Sequence, residues 1–390
     1  MLLYGAIMKK NIIIMIINTI ILFGTVGIVG NLSVFVCNPA TAFSLALVKI
    51  ANPSAMLNEA KATFSVNNKL IDENTTNTSS KEDEPVMNSI SAKDSKDYTD
   101  IKQTPSDIVK LMDKAKKTTD KSMSMGKTSE EAYQGGGRIV SYGRIQIQSK
   151  IPKSFYSPNI KALLKQGTDL EISDKSKPTI LIYHSHTTEA YSLLDVGYYI
   201  KSDARSNSPS RNMVRVGEDL KAYLEKQGFV VVHDKTIHDK DYNSSYDKSG
   251  AAIDKYLEEY PSIEVTIDVH RDDITYSNKT KVKPTAVIDG KKAARMMIIA
   301  GCEYNRVKNF PDWEDNLRFD LQVQNKVEEM YPGLMRPILF SERKYNMHKT
   351  RYSFLLEVGT DANTLDEACY SARMFGNALG ELLNEKYVKG

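Results

Sequence analysis

The chain is poor in cysteine, with three in 390 residues, and neither Cys37, Cys302 nor Cys369 has a Cys or His neighbour at structural-zinc spacing. A disulfide-stapled miniprotein is excluded, and at most one pair can form. It also lacks an excess of either charge: 52 Lys and Arg against 49 Asp and Glu leave a formal +3, without the sustained basic surplus of a nucleic-acid binder. Nucleic acid is therefore not an expected partner. Tryptophan is nearly absent. The single Trp313, near the start of an expected helix, reads as a core anchor rather than a sugar platform. No internal repeat is present.

Charge is missing altogether from Asn11 to Val36, a run of 26 residues built mainly of Ile, Val, Leu, Phe and Gly. As a helix it is about 39 Å long, more than the roughly 30 Å hydrocarbon core of a bilayer. Lys9 and Lys10 precede it, so the positive-inside rule keeps the N-terminus in the cytoplasm and sends the remainder outward. The competing readings are a cleaved signal peptide, with Ala40-Thr41-Ala42 as a small-residue site, and a lipoprotein signal ending at Cys37. The length of the apolar region favours a retained anchor within residues 1–50.

Residues 51–137 are rich in Ser, Thr, Asn, Asp and Lys and nearly free of aromatics, so they offer little apolar surface to offset ordering entropy. They are expected to form a polar, disordered linker. Ile108, Leu111, Met112 and Ala115 make one short amphipathic stretch inside it, a transient helix or a few apolar beads. Gly135-Gly136-Gly137 is expected to act as a hinge.

Residues 138–390 alternate strands with helices and contain all six histidines. Strands are expected at 178–183, 229–232, 263–269, 295–300 and 353–356, and helices at 212–228, 246–260, 313–331 and 364–385. Nearly unbroken apolar strands separated by amphipathic helices predict a three-layer α/β domain, a mostly parallel sheet with helices on both faces.

His184 and His186 follow directly on the first of these strands, His270 on the third, and Glu357 on Phe354-Leu355-Leu356. Carboxyl ends of parallel strands share one edge of the sheet, where such folds bind ligands. His186 and Glu189 are three apart on a tight turn, and with His270 they make a two-His, one-Glu set of the catalytic zinc kind. Spacing does not decide whether His184 or His186 is the ligand. Asp268, two residues before His270, shares its face and is placed to hold an imidazole or a neighbouring cation. Arg271 is a candidate for clamping a carboxylate or an oxyanion, or for a plain ion pair with Asp272 or Asp273. Glu357, in apolar surroundings, is the candidate general base and acid.

The motifs Ile182-Tyr183-His184-Ser185-His186-Thr187-Thr188-Glu189, Asn212-Met213-Val214-Arg215-Val216-Gly217, His238-Asp239, Ile267-Asp268-Val269-His270-Arg271-Asp272 and Leu356-Glu357-Val358-Gly359 with Asn363-Thr364 occur in that order from Pro178 to the C-terminus. Together they resemble the stage II sporulation protein P family. The resemblance implies a membrane-tethered, Zn2+-dependent peptidoglycan hydrolase with a fold like that of N-acetylmuramoyl-L-alanine amidases. It implies cleavage of the muramoyl–L-alanine amide, an associated endopeptidase activity on peptide cross-links, and work at the sporulation septum during engulfment alongside stage II sporulation proteins D and M. It places the metal set on His184 or His186, Glu189 and His270, and the catalytic acid on Glu357. Two departures from the family pattern are Ser185 in place of Thr, and Met347, after Tyr345-Asn346, in place of an amide. The alternatives from other classes are a zinc endopeptidase or carboxypeptidase confined to stem peptides and a non-catalytic wall-binding scaffold.

Overall fold

The computed structural model describes residues 100–389. The expected anchor and the first half of the expected linker lie outside the described residues. No helix among the described residues is long and apolar enough to cross a membrane.

The core is an eight-stranded sheet in the order β2-β3-β11-β10-β12-β7-β4-β6. Its strands are β2 Arg138–Tyr142, β3 Ile145–Ser149, β4 Pro178–Tyr183, β6 Val230–His233, β7 Val265–Asp272, β10 Met296–Gly301, β11 Ile338–Ser341 and β12 Tyr352–Thr360. Parallel pairing joins β12, β7, β4 and β6, so their carboxyl ends share one edge. β10 runs antiparallel to β12, and β2 antiparallel to β3. The sheet is therefore mostly parallel, as expected, with five of its seven pairings parallel, although two pairings run antiparallel. Periodicity alone could not show this, because an apolar strand such as Met296–Gly301 is equally buried in either direction.

Strand alternation divides the core between two faces. Ile180 and Ile182 of β4, Val265, Ile267 and Val269 of β7, and Phe354, Leu356 and Val358 of β12 join the main cluster. Helices α3 (Met213–Lys226), α5 (Trp313–Met330) and α6 (Leu365–Lys386) supply its other side, and α2 (Ile160–Gln166) packs on α5. Leu181 and Tyr183 face the other way, onto Ile253 of α4 (Ser245–Glu259). Helices thus cover both faces, as expected. Helix α6 starts in a capping box, Thr364 accepting from the Glu367 N–H while the Glu367 carboxylate accepts from Thr364. Trp313 packs edge-on to Tyr156, 5.0 Å between centroids, in its expected role as an anchor. Cys302 and Cys369 are buried and form no disulfide among the described residues.

The expected linker differs in its last third. Residues 106–118 form helix α1 (Ser106–Thr118), with Ile108 fully buried, and Gly126–Glu131 forms strand β1. β1 enters a second, four-stranded sheet in the order β5-β1-β8-β9, with β5 Tyr198–Tyr199, β8 Lys281–Ile288 and β9 Lys291–Ala294. Strand β1 is Gly-Lys-Thr-Ser-Glu-Glu, without one large apolar side chain. Its order comes from backbone pairing on both sides, which composition does not register.

Candidate active site at the carboxyl edge

Alternation along β4 decides which way His184 faces. Ile180 and Ile182 lie on the α3 face, and His184 continues that parity. It is fully buried there, with Nδ1 2.9 Å from the Val269 carbonyl and Nε2 2.8 Å from His233 Nε2. Both ring nitrogens are occupied. Burial, then His233, pushes its imidazole down to about 3. The expectation that His184 might serve as a ligand is thereby corrected: it is a packed residue behind the site. Gly217 of α3 is required for this packing, since a Cβ there would lie 2.6 Å from His233 Nε2 and 2.9 Å from His184 Cε1.

His186, past the end of the strand, turns to the other side. Its ring stands perpendicular to His270, centroids 5.2 Å apart, and its Nδ1 is buried with no hydrogen-bond partner among the described residues. Thr266, Asp268 and His270 alternate with the apolar β7 residues and so lie on this same face. Glu189 Oε2 lies 3.4 Å from His270 Nδ1. On the far side of the ring, His270 Nε2 is in ion-pair contact with Asp268 Oδ1 at 2.8 Å, although the N–H is not aimed along that line. Ser185 fixes Asp268 by donating from its backbone N–H at 2.9 Å and from its hydroxyl at 2.6 Å. The structure thus gathers His186, Glu189 and His270, with Asp268 holding an imidazole as expected. Burial pulls the His270 imidazole down, but Asp268 and Glu189 outweigh it and hold it well above its ordinary value. Burial raises the Glu189 carboxyl, and Arg271 with His270 more than reverses this, to about 2.

Arg271 is buried and committed elsewhere. Its Nε donates to the Ala190 carbonyl at 3.3 Å and its Nη2 to Ala204 at 2.8 Å, while its backbone N–H donates to Glu189 Oε2 at 3.3 Å. It straps the 190–205 loop to the edge and holds Glu189 in place. The expected role as a substrate clamp gives way to a positioning one. His238 pairs with Asp234 at 2.8 Å, whereas Asp239 accepts from the Thr188 N–H and hydroxyl and from Arg205.

Glu357 stands in register with His270 on the adjacent parallel strand. A bulge between Glu357 and Thr360 turns the strand there, with Gly359 at φ 65°, where a Cβ would lie 2.5 Å from Asn363 Oδ1. Glu357 Oε2 is buried and has no hydrogen-bond partner among the described residues. Burial, then the Asp272 charge, raises its carboxyl to about 8, against the lowering effect of His270 and Arg336. Sequence reasoning missed the walls of the site. Tyr242 stacks on His186 at 4.3 Å, Tyr246 meets the same ring edge-on at 5.4 Å, and Arg336 donates to Asp272 Oδ2 at 2.9 Å. Tyr133, from the end of the expected linker, lies 5.3 Å from Arg336. Tyrosines at the mouth of a helix and an arginine before a strand carry no spacing signal; only their place in the fold reveals them.

Among the described residues no group of three His, Cys, Asp or Glu side chains stands at coordination geometry to a common point. The donor set nevertheless fits a divalent cation. Two imidazoles and a carboxylate converge, two ring nitrogens, His186 Nδ1 and His270 Nε2, are buried without a hydrogen bond among the described residues, and the Asp268 carboxylate lies 2.8 Å behind the His270 ring, as carboxylates do behind metal-bound histidines.

A mixed α/β domain with an imidazole–carboxylate cluster at its parallel edge and a lone raised carboxyl beside it defines the class. Residues 51–380 match the model of the family described as stage II sporulation protein P (SpoIIP), and the chain belongs to that family. It is 30% identical over 260 residues to the stage II sporulation protein P of Bacillus subtilis (strain 168), covering 61% of this chain. The chain spans about 60% of the length of that curated relative. Among solved structures, it is similar to the N-acetylmuramoyl-L-alanine amidase AmiC2 of Nostoc punctiforme, at 14% identity over 55% of this chain and 95% of that one, TM-score 0.31. It is also similar to the N-acetylmuramoyl-L-alanine amidase of Clostridium difficile 630, at 15% identity over 55% and 99%, TM-score 0.32.

Proposed function

We propose that the chain is a zinc-dependent peptidoglycan hydrolase of sporulation, cutting the amide between muramic acid and L-alanine and also peptide cross-links. Its family membership supports the substrate. The observation that carries the chemistry is the convergence of His186, Glu189 and His270 opposite Glu357, with His186 Nδ1 and Glu357 Oε2 both buried and unpartnered. His186, Glu189 and His270 would hold the ion, which when bound would supply Lewis acidity toward the scissile carbonyl. Glu357 takes the proton of the attacking water as its oxygen bonds to the carbonyl carbon. It returns that proton to the amine nitrogen as the C–N bond breaks. Asp268 and Arg271 keep the ligands in place.

The uncharged run 11–36 anchors the chain in the membrane, with the catalytic domain extracytoplasmic at the sporulation septum and stage II sporulation proteins D and M as its partners. The test is mass spectrometry of muropeptides after incubation of the full chain with peptidoglycan, with and without chelator. Chelator-sensitive release of free stem peptides is expected, with uncross-linked peptides beside them. No release under any metal condition would leave a wall-binding scaffold.

A further inference from the structure

The turn between β11 and β12 is strained beside the site. Tyr345 and Asn346 are consecutive non-glycine residues at positive φ, 41° and 59°. The strain is held by hydrogen bonds: Asn346 Nδ2 donates to the Tyr246 carbonyl at 2.9 Å and to Ser249 Oγ at 3.1 Å. Ser249 in turn lies 2.8 Å from Ser185 Oγ, whose proton goes to Asp268. The turn is thereby fastened to the carboxylate that backs His270. Its product is a ladder of parallel rings, His270 to Tyr246 at 6.4 Å and Tyr246 to Tyr345 at 4.9 Å.

That ladder forms a wall of a groove leading away from the edge. Two depressions of about 610 and 370 Å3 share Glu342, Arg343 and Tyr345; Tyr246 and Arg306 line the first and Lys150 the second. The groove carries unneutralised positive charge. Glu342 is taken by Arg306 at 3.2 Å, whereas Arg343 and Lys344 form no ion pair among the described residues and donate only to the Glu342 and Lys308 carbonyls. Arg343 also lies 5.8 Å from the Tyr345 ring, which fixes its guanidinium over the wall. His348, lining the same depression, is pushed down to about 4 by burial and by Lys344 and Lys349, a sign of positive potential there.

We propose that this groove is a subsite for an anionic peptide, in which Arg343 and Lys344 bind the free carboxylates of a stem peptide lying along Tyr246 and Tyr345. A guanidinium pairs a carboxylate through two donors, and the aromatic wall covers the peptide's apolar atoms. The proposal rests on the peptidoglycan reading for the identity of the peptide, but its test does not depend on cleavage. A stem tetrapeptide with free carboxylates and the same peptide fully amidated, neither containing a muramoyl amide, are titrated calorimetrically into the full chain. The free acid should bind about tenfold more tightly. Arg343→Glu with Lys344→Ala should abolish that preference at an unchanged melting temperature, and Arg343→Lys should restore part of it. Equal binding of the two peptides, or a preference that survives the double substitution, overturns the subsite. A retained preference in a chain that cleaves nothing would sink the hydrolase reading and leave the subsite standing.

Discussion

Two clusters of buried charge sit on opposite faces of the same sheet, and they are built differently. Behind the sheet, Arg215, Asp219 and Arg373 are buried between α3 and α6. Arg215 binds Asp219 at 2.7 Å and Asp107 at 2.8 Å, and Arg373 binds Asp219 at 2.8 Å. Arg373 also donates to the carbonyls of Ile101 and Gln103, which docks the end of the linker. At the carboxyl edge, His186 Nδ1 and Glu357 Oε2 have no hydrogen-bond partner among the described residues. Burying ionisable groups is therefore not in itself a mark of function. The mark is several such groups converging with their valences unfilled, because that is costly unless a ligand fills them.

The largest expected effect falls on the closed cluster. Arg373→Met should cost about 3–5 kcal/mol in urea unfolding, by leaving Asp219 undercompensated and freeing the 101–103 backbone; a loss under about 1 kcal/mol would break the contrast. At the open edge, Asp268→Asn should instead weaken zinc binding about 10- to 100-fold in competition with a chromophoric chelator, since it loosens the His270 ring.

Asp320 sharpens the comparison, for both its carboxylate oxygens are buried and unpartnered on α5, and burial alone raises its pKa. It stands alone, so the account makes it a neutral acid and no site. The folded chain then holds a proton that the unfolded chain releases above the ordinary carboxylate range. This contribution to stability is complete below about pH 4 and is lost progressively as pH rises. Asp320→Asn should stabilise the chain by about 1–3 kcal/mol at neutral pH, with the gain vanishing near pH 3.5 in denaturant midpoints. A gain independent of pH would mean that Asp320 is ionised in the fold. Least affected should be Thr364→Ala, which removes one cap bond of α6 and about 1 kcal/mol from thermal stability.

The same contrast explains what was legible beforehand. Strand 178–183 and helices 213–226, 245–259 and 313–330 were visible because each carries its own apolar period. Strand-end placement located His186, Glu189, His270 and Glu357, which depend only on where a strand stops. Strand β1 was invisible, for its order comes from pairing with β8, a segment far away in sequence. His184 was ambiguous because it shares its strand parity with His186, and the turn that carries His186 to the other face is set by tertiary contacts.

The central claim is that the open edge is a metal site with Glu357 as its proton carrier. Metal content by mass spectrometry and peptidoglycan cleavage, measured on the same preparations of wild type, His270→Ala and Glu357→Gln, test it directly. The account predicts one zinc per chain in wild type and Glu357→Gln, cleavage in wild type alone, and loss of both in His270→Ala. Zinc unaffected by His270→Ala, or cleavage retained by Glu357→Gln, would contradict it.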